Sequence, residues 1–320
     1  MNTDEQHILP PAIVICGPTG IGKTAFAIAL AEQFNGEIVG ADSMQLYRHM
    51  DIGTAKPTPE EQAAVRHHMV DVVDPDGHFD AEIYANMAYT KVLALAGNEI
   101  LPFIVGGTGL YIKALIHGLF ESVKVDPQVR QQLKNEAREL GGHHLHTRLQ
   151  KCDPVAAGRI HANDTYRIVR ALEIFETTRK PMSASQQSHR FKARRIRTLK
   201  IGLQMERADL YRRIDKRVDI MIDQGLLREV KALLGAGYSP DLKPMKSLGY
   251  RHMAAYIDNA VDWDEAVRTL KRDTRHYAKR QMTWFKADPE IIWVAPDQIR
   301  NVEAYVKAFL QPSLETVSCI

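Results

Sequence analysis

The chain has 320 residues, a formal net charge of +3 and 45% hydrophobic residues, enough for one large domain with an insertion, or for two domains with substantial cores. Its three cysteines, Cys16, Cys152 and Cys319, lie far apart with no C-x-x-C pair, which excludes a disulfide framework and a cysteine-based zinc site. The sequence shows no secretory leader and no apolar run of membrane-spanning length, so a cytoplasmic protein is expected.

The apolar run at 12–16 (AIVIC) predicts a buried strand, and GPTGIGKT at 17–24 follows it directly. This fills the G-x-x-x-x-G-K-[ST] phosphate-loop pattern, the motif shared by ATP-binding proteins, in its strand, loop, helix setting. Gly17, Pro18, Thr19, Gly20, Ile21, Gly22, Lys23 and Thr24 are therefore expected to hold a polyphosphate. The glycines let backbone N–H groups curl around the anion, the helix expected at 23–34 adds its positive end, and Lys23 adds a point charge. The Thr24 hydroxyl is expected to face Mg²⁺. A second strand is expected at 37–40, helices at 59–68 and 80–96, a strand at 101–105 and a helix from about 110. This βαβ alternation predicts an α/β fold, a parallel phosphate-loop sheet flanked by helices. From 126 to about 178 the period is helical, with Pro127 and Pro154 suited to first turns and Gly141-Gly142 as a break. A helical insertion at 121–195 is expected, in a core made of 1–120 and 196–312, with a tail at 313–320. The sheet is expected to resume at 198–203 (TLKIGL), followed by helices at 208–221 and 226–234.

The charge is unevenly spread. Residues 1–120 carry 6 Lys/Arg against 14 Asp/Glu, and residues 121–320 carry 36 against 25. The basic half has dense stretches at 190–200, 211–217 and 268–280, interleaved with Phe191, Tyr211, Tyr277, Trp284 and Phe285. Any one of them reads as a solvated helix face, but together they favour contact with a nucleic acid, which needs phosphate neutralisation and base stacking. Asp42 ends the second strand, on the sheet edge where the phosphate loop emerges. It suits an indirect Mg²⁺ ligand, a proton acceptor or a helix N-cap. A third glycine turn, Gly106-Gly107-Thr108-Gly109, reaches the same edge. His143, His144 and His146 lack the partners of a metal site and read as a solvated helix start.

The combination of GPTGIGKT at 17–24, DSMQLYR at 42–48, MDIGTAKP at 50–57, GGTGLY at 106–111, YRIVRALEI at 166–174, YRRIDKRVDIM at 211–221, SLGYR at 247–251 and KRQMTWF at 279–285 resembles the bacterial tRNA dimethylallyltransferases, also called tRNA isopentenyltransferases. The resemblance spans nearly the whole chain. Gly20-Ile21 stand where the family often has Ala-Ser, and Leu46 where valine or isoleucine is common; neither change touches a charged group. The resemblance implies an enzyme that transfers a dimethylallyl group from dimethylallyl diphosphate to N6 of the adenosine 3′ of the anticodon, position 37, in tRNAs reading codons that start with U, and a monomer is the default expectation.

It also implies roles. Asp42 would be the base, Arg217 a further cation on the leaving diphosphate beside Lys23, and Thr19 and Thr24 its hydroxyl contacts. Asp42, Ser43, Met44 and Gln45 would meet the flipped base, and Thr108 and Arg130 would touch the tRNA. Tyr166, Arg167, Ile168, Val169 and Arg170, then Ser247, Leu248, Gly249, Tyr250 and Arg251, would follow the anticodon stem-loop. Lys279, Arg280, Gln281, Met282, Thr283, Trp284 and Phe285 would join them. On a helix Arg167 and Arg170 share a face, as phosphate contacts require, while core packing is the alternative for Tyr166 and Trp284. The loop alone would equally serve a small-molecule or nucleotide kinase, or an RNA-stimulated ATPase. The former leaves the basic half unused, and the latter needs a base-binding pocket for ATP and a water-positioning residue that the sequence does not reveal.

Overall fold

The computed structural model describes residues 9–118, 126–184 and 194–311; the expected tail at 313–320 and the start of the basic stretch at 190–193 lie outside the described residues. The chain divides into two compact units, Met1–Ile116 with Arg194–Ile320, and His117–Ala193. No described helix is long and apolar enough to cross a membrane.

The first unit is built on a parallel sheet of β1 (Pro11–Cys16), β2 (Gly36–Gly40), β3 (His67–His68), β4 (Leu101–Gly106), β5 (Arg197–Leu203) and β6 (Ile292–Val294), in the order β3-β2-β4-β1-β5-β6. Strand β1 is apolar at every position because both its faces are covered. Ala12, Val14 and Cys16 pack with α3 (Ala81–Gly97) and α4 (Gly109–His117) on one side. On the other, Ile13 and Ile15 pack with α1 (Lys23–Gln33), α9 (Arg207–Gln224) and α13 (Ile299–Leu310). A further apolar cluster joins α9, α10 (Leu226–Gly235), α11 (Tyr250–Ile257) and α12 (Trp263–Lys286) to Tyr47 and Met50.

The helix expected at 59–68 is shorter than its pattern. Thr58 opens α2 (Pro59–Ala64) with a capping box to Glu61, a strong start signal. The chain turns extended at Val65, and His67 and His68 pair with Ile38 and Val39 as the edge strand β3. Backbone pairing with β2 outweighs continuation of a short polar helix. At the far end of α4, the Arg195 N–H donates to the Ile116 carbonyl at 2.8 Å, and the Arg195 guanidinium donates to the Ala114 carbonyl at 3.1 Å while lying 4.6 Å from the Tyr89 ring centre.

The second unit comprises α5 (Pro127–Leu140), α6 (Gly142–Cys152), α7 (Pro154–Ala157) and α8 (Thr165–Thr178). Asp126, Asp153 and Asp164 cap α5, α7 and α8, each satisfying an N–H that the helix leaves open. Leu133, Leu145, Leu149, Ile168, Val169 and Leu172 form its core. Glu173 is buried there and accepts from Arg130 Nε at 2.6 Å and Nη2 at 2.8 Å, with Arg170 as a further partner. Burial alone would raise this carboxyl; the two guanidiniums more than offset that and hold it below the usual carboxylate range. Because the folded form holds the proton less tightly, the stabilisation is present above the unfolded pKa and is lost as pH falls through the folded one. Glu173→Ala is therefore expected to cost about 2 kcal/mol at neutral pH, the scale of hydrogen bonds to a charged group. In urea melts the difference from the unsubstituted protein should narrow on acidification below about pH 4; a constant difference would contradict it.

Candidate active site

The phosphate loop leaves the carboxyl end of β1 at the middle of the sheet. Gly17 has φ 144°, and a Cβ there would lie 2.9 Å from the Leu203 carbonyl of β5. Gly22, at φ 99°, caps α1, so Lys23 and Thr24 form its first turn, where N–H groups remain open for an anion. Ile21 anchors the loop in the core beside Ile214 of α9. Two arginines of α9 reach it: Arg213 Nε donates to the Gly20 carbonyl at 3.1 Å, and Arg217 Nη1 to Thr19 Oγ1 at 3.4 Å. Lys23 Nζ donates to the Pro18 carbonyl at 2.9 Å. Burial pushes its ammonium down to about 8, opposed by Asp42 and reinforced by Arg217. Burial also lowers Arg217, with Asp42 and Glu61 opposing.

Asp42 follows β2. The Ala41 N–H donates to the Val105 carbonyl at 2.7 Å and the Thr108 N–H to the Ala41 carbonyl at 3.1 Å, so the ends of β2 and β4 are stitched together. A Cβ at Gly106 would come within 2.1 Å of the Ala41 carbonyl oxygen; only glycine allows that approach. Asp42 Oδ1 accepts from the Met44 N–H at 2.8 Å. This is a turn bond, and no helix begins here. Thr108 Oγ1 accepts from the Ser43 N–H at 3.0 Å.

Two cavities meet at Asp42. The larger, about 970 Å³, is lined by the phosphate loop, Lys23, Thr24, Arg213, Lys216, Arg217 and the 51–59 segment. The smaller, about 280 Å³, is lined by Ser43, Met44, Ser247, Leu248, Gly249, Arg251, Tyr277 and Arg280. Asp42, Thr19, Thr54 and Arg217 line both. Gln45 lines the larger cavity and donates to the Ala55 carbonyl at 2.9 Å. Arg251 is held by Asp273 at 2.6 Å.

Several residues read as RNA contacts have other work. Gln281 is buried; its Oε1 accepts from the Thr19 N–H at 2.8 Å and its Nε2 donates to the Gly107 carbonyl at 2.9 Å. It clamps the phosphate loop to the glycine turn and also lines the larger cavity. Ile168, Val169, Tyr250 and Phe285 are likewise buried, because each falls on the inward stripe of its helix, and their side chains serve packing. Lys279, Arg280, Thr283 and Trp284 are exposed on α12, with Met282 half-buried between them. Trp284 lies against Gly109, where a Cβ would come within 2.0 Å of its indole nitrogen. In the second unit Tyr166 is 84% exposed and Arg167 is exposed. Arg167 pairs with Asp164 at 3.3 Å, whereas Arg130 and Arg170 converge on Glu173. Arg213, Thr54 and Tyr277 were given no site role by the sequence reading, although Arg213 and Thr54 lie in the motifs at 211–221 and 50–57 and Tyr277 is an aromatic among basic residues.

This arrangement defines a phosphate-loop α/β enzyme for an anionic substrate, with a carboxylate at the boundary of a second cavity. The IPP transferase family model matches residues 45–288. The tRNA dimethylallyltransferase of Desulfosudis oleivorans is 54% identical over 94% of this chain and 96% of its own length, and that of Geobacter sulfurreducens 50% identical over 88% and 91%. The full-length tRNA isopentenylpyrophosphate transferase of Bacillus halodurans matches in structure with a TM-score of 0.71 at 38% identity, covering 94% of this chain and 97% of that one. A eukaryotic dimethylallyltransferase acting on tRNA matches with a TM-score of 0.78 at 26% identity over 93% and 77%. The chain belongs to the IPP transferase family.

If the Gln281 clamp shapes the phosphate loop, Gln281→Leu weakens binding of inorganic diphosphate about tenfold in calorimetric titration. That is the scale of two lost hydrogen bonds of about 1 kcal/mol each, partly offset by relaxation. Unaltered affinity in a folded variant would show that the loop holds its shape without the clamp.

Proposed function

We propose that this chain transfers the dimethylallyl group of dimethylallyl diphosphate to N6 of adenosine 37, 3′ of the anticodon, in tRNAs reading codons that start with U. It acts as a cytoplasmic monomer on the anticodon stem-loop. The observation that carries this reading is Asp42, which lines both the phosphate-loop cavity and the smaller cavity beside it. A donor diphosphate and an acceptor base would then meet at one carboxylate.

An exocyclic adenine amine is a weak nucleophile, because its lone pair is delocalised into the ring. Alignment with the allylic carbon and removal of a proton as the bond forms are what a site must supply. In this reading N6 attacks C1 of the dimethylallyl group, the C–O bond to diphosphate breaks, and the N6 proton passes to the Asp42 carboxylate. The departing diphosphate gathers negative charge, which the loop N–H groups, Lys23 and Arg217 stabilise in a site that needs no rearrangement. Phosphate oxygens beside Lys23 favour its charged form, reversing the depression that burial imposes. The target base has to leave its stack to enter the smaller cavity, which a single-stranded loop permits at low cost.

Mg²⁺ fits the donor set. Thr24 and Asp42 line the larger cavity and offer the hydroxyl and carboxylate oxygens that this ion takes. Among the described residues no group of three or more His, Cys, Asp or Glu gathers, so the ion would take its other ligands from diphosphate and water. Bound there, it would neutralise charge on the leaving group.

The direct test is incubation with Mg²⁺, labelled dimethylallyl diphosphate and unmodified tRNA, with ATP in parallel. Label in the adenosine beside the anticodon is expected, and ATP consumption without label would overturn the reading. Asp42→Ala should lower kcat at least about 100-fold, the lower range for a general base, with tRNA affinity within a few-fold. A near-normal rate would remove Asp42 as the base. Arg217→Ala should act mainly on the Michaelis constant for dimethylallyl diphosphate, and an unchanged constant and rate would refute its role.

A further inference from the structure

A residue outside every motif of the sequence ties down the smaller cavity. Glu229 lies on α10, and its Oε2 accepts from the backbone N–H groups of Asp51 at 2.9 Å and Ile52 at 2.8 Å. Its Oε1 accepts from the Gly53 N–H at 3.1 Å and from the Tyr250 hydroxyl at 2.6 Å. Three successive N–H groups that converge on one anion make a concave nest of the kind that binds free anions. Here the anion is a side chain, far away in sequence.

The same carboxylate thus joins two segments. Of the tied loop, Asp51 and Ile52 line the larger cavity and Thr54 both, while Gly53 lines only the smaller one, as do Ser247, Leu248 and Gly249, which lead directly into Tyr250. Glu229 lines neither cavity. The Tyr250 ring closes the joint from inside: a Cβ on Gly53 would come within 2.4 Å of it. Burial, reinforced by Glu229, pushes the Tyr250 phenol well up, so it remains a donor throughout the working pH range.

We infer that Glu229 is a positioning residue for the acceptor: by tying the 51–53 loop to Tyr250 it sets the width of the smaller cavity, in which the target adenine is held. This rests on the prenyl-transfer reading above. A carboxylate serving general stability would affect both substrates alike, whereas one that sets the acceptor cavity separates them.

The test compares full-length Glu229→Gln and Tyr250→Phe with the unsubstituted enzyme, using Mg²⁺, dimethylallyl diphosphate and unmodified tRNA. Glutamine keeps the side-chain shape but turns an NH₂ group toward one set of N–H donors. Phenylalanine removes a single oxygen, and it decides the matter if Glu229→Gln does not fold. The expected result is a fall in kcat/KM for tRNA of about tenfold in Glu229→Gln and about threefold in Tyr250→Phe, the scale of the net contribution of a single hydrogen bond. The KM for dimethylallyl diphosphate should stay within twofold. A kcat/KM for tRNA within twofold of normal in both variants overturns the inference. So does a parallel rise in both KM values together with a lower melting temperature. An unsubstituted enzyme that transfers no label removes the prenyl-transfer reading and this inference with it, an outcome that is visible before any variant is made.

Discussion

The buried amide of Gln281 holds the two glycine-rich turns of the first unit in register, and the geometry of the site depends on it. The sheet brings the ends of β1 and β4 side by side, but side-by-side strands do not by themselves fix the loops that follow them. Gln281 accepts from one loop and donates to the other. An amide that is buried and satisfied on both sides locks a single arrangement, because any shift that loses one bond leaves a polar group stranded. The clamp also takes up the Thr19 N–H. The anion-facing donors are therefore those further along the loop and in the first turn of α1, with Arg217 held at Thr19 through its hydroxyl.

Around that frame the charges are arranged for an anion. Lys23 and Arg217 are both disfavoured by burial, and Asp42 is the first opposing charge acting on each. Asp42 opposes both and Glu61 only Arg217, yet burial still disfavours both cations, so a polyanionic ligand beside them relieves an electrostatic cost that the protein already carries. The Asp42 carboxylate borders the second cavity, which places proton acceptance and charge balance in one group.

Much of this was legible in the sequence for a physical reason: phosphate loops and buried parallel strands are local patterns, and glycines mark places where backbones must approach. The glycine turn at 106–109 and Asp42 were both readable as strand-end features. Glu229 was not, because its partners at 51–53 lie more than 170 positions away and a lone glutamate on a helix reads as a solvated face. The role of Gln281 was hidden for the same reason, since its motif neighbours Arg280 and Trp284 are exposed while it points inward. In YRIVR at 166–170 the helical period divides the motif: Tyr166 and Arg167 are exposed and Ile168 and Val169 buried, a distinction that reading it as one block leaves out. The edge strand β3 was missed because two histidines have no strand signal; neighbouring β2 creates it.

The bond from Arg195 to the Ile116 carbonyl has a topological meaning. The chain leaves the first unit after Ile116 and re-enters it at Arg194, and within that unit the two ends of the excursion are one hydrogen bond apart. For the sheet, the excursion is one long loop whose ends are already pinned, and the entropy of closing such a loop grows only slowly with its length. The second unit, with its own apolar core and capped helices, could be lengthened, shortened or exchanged with little change to the folding of the first. Selection can therefore rework the helical insert while the phosphate-loop core keeps its architecture, the freedom that an inserted module has and a domain woven through a fold does not.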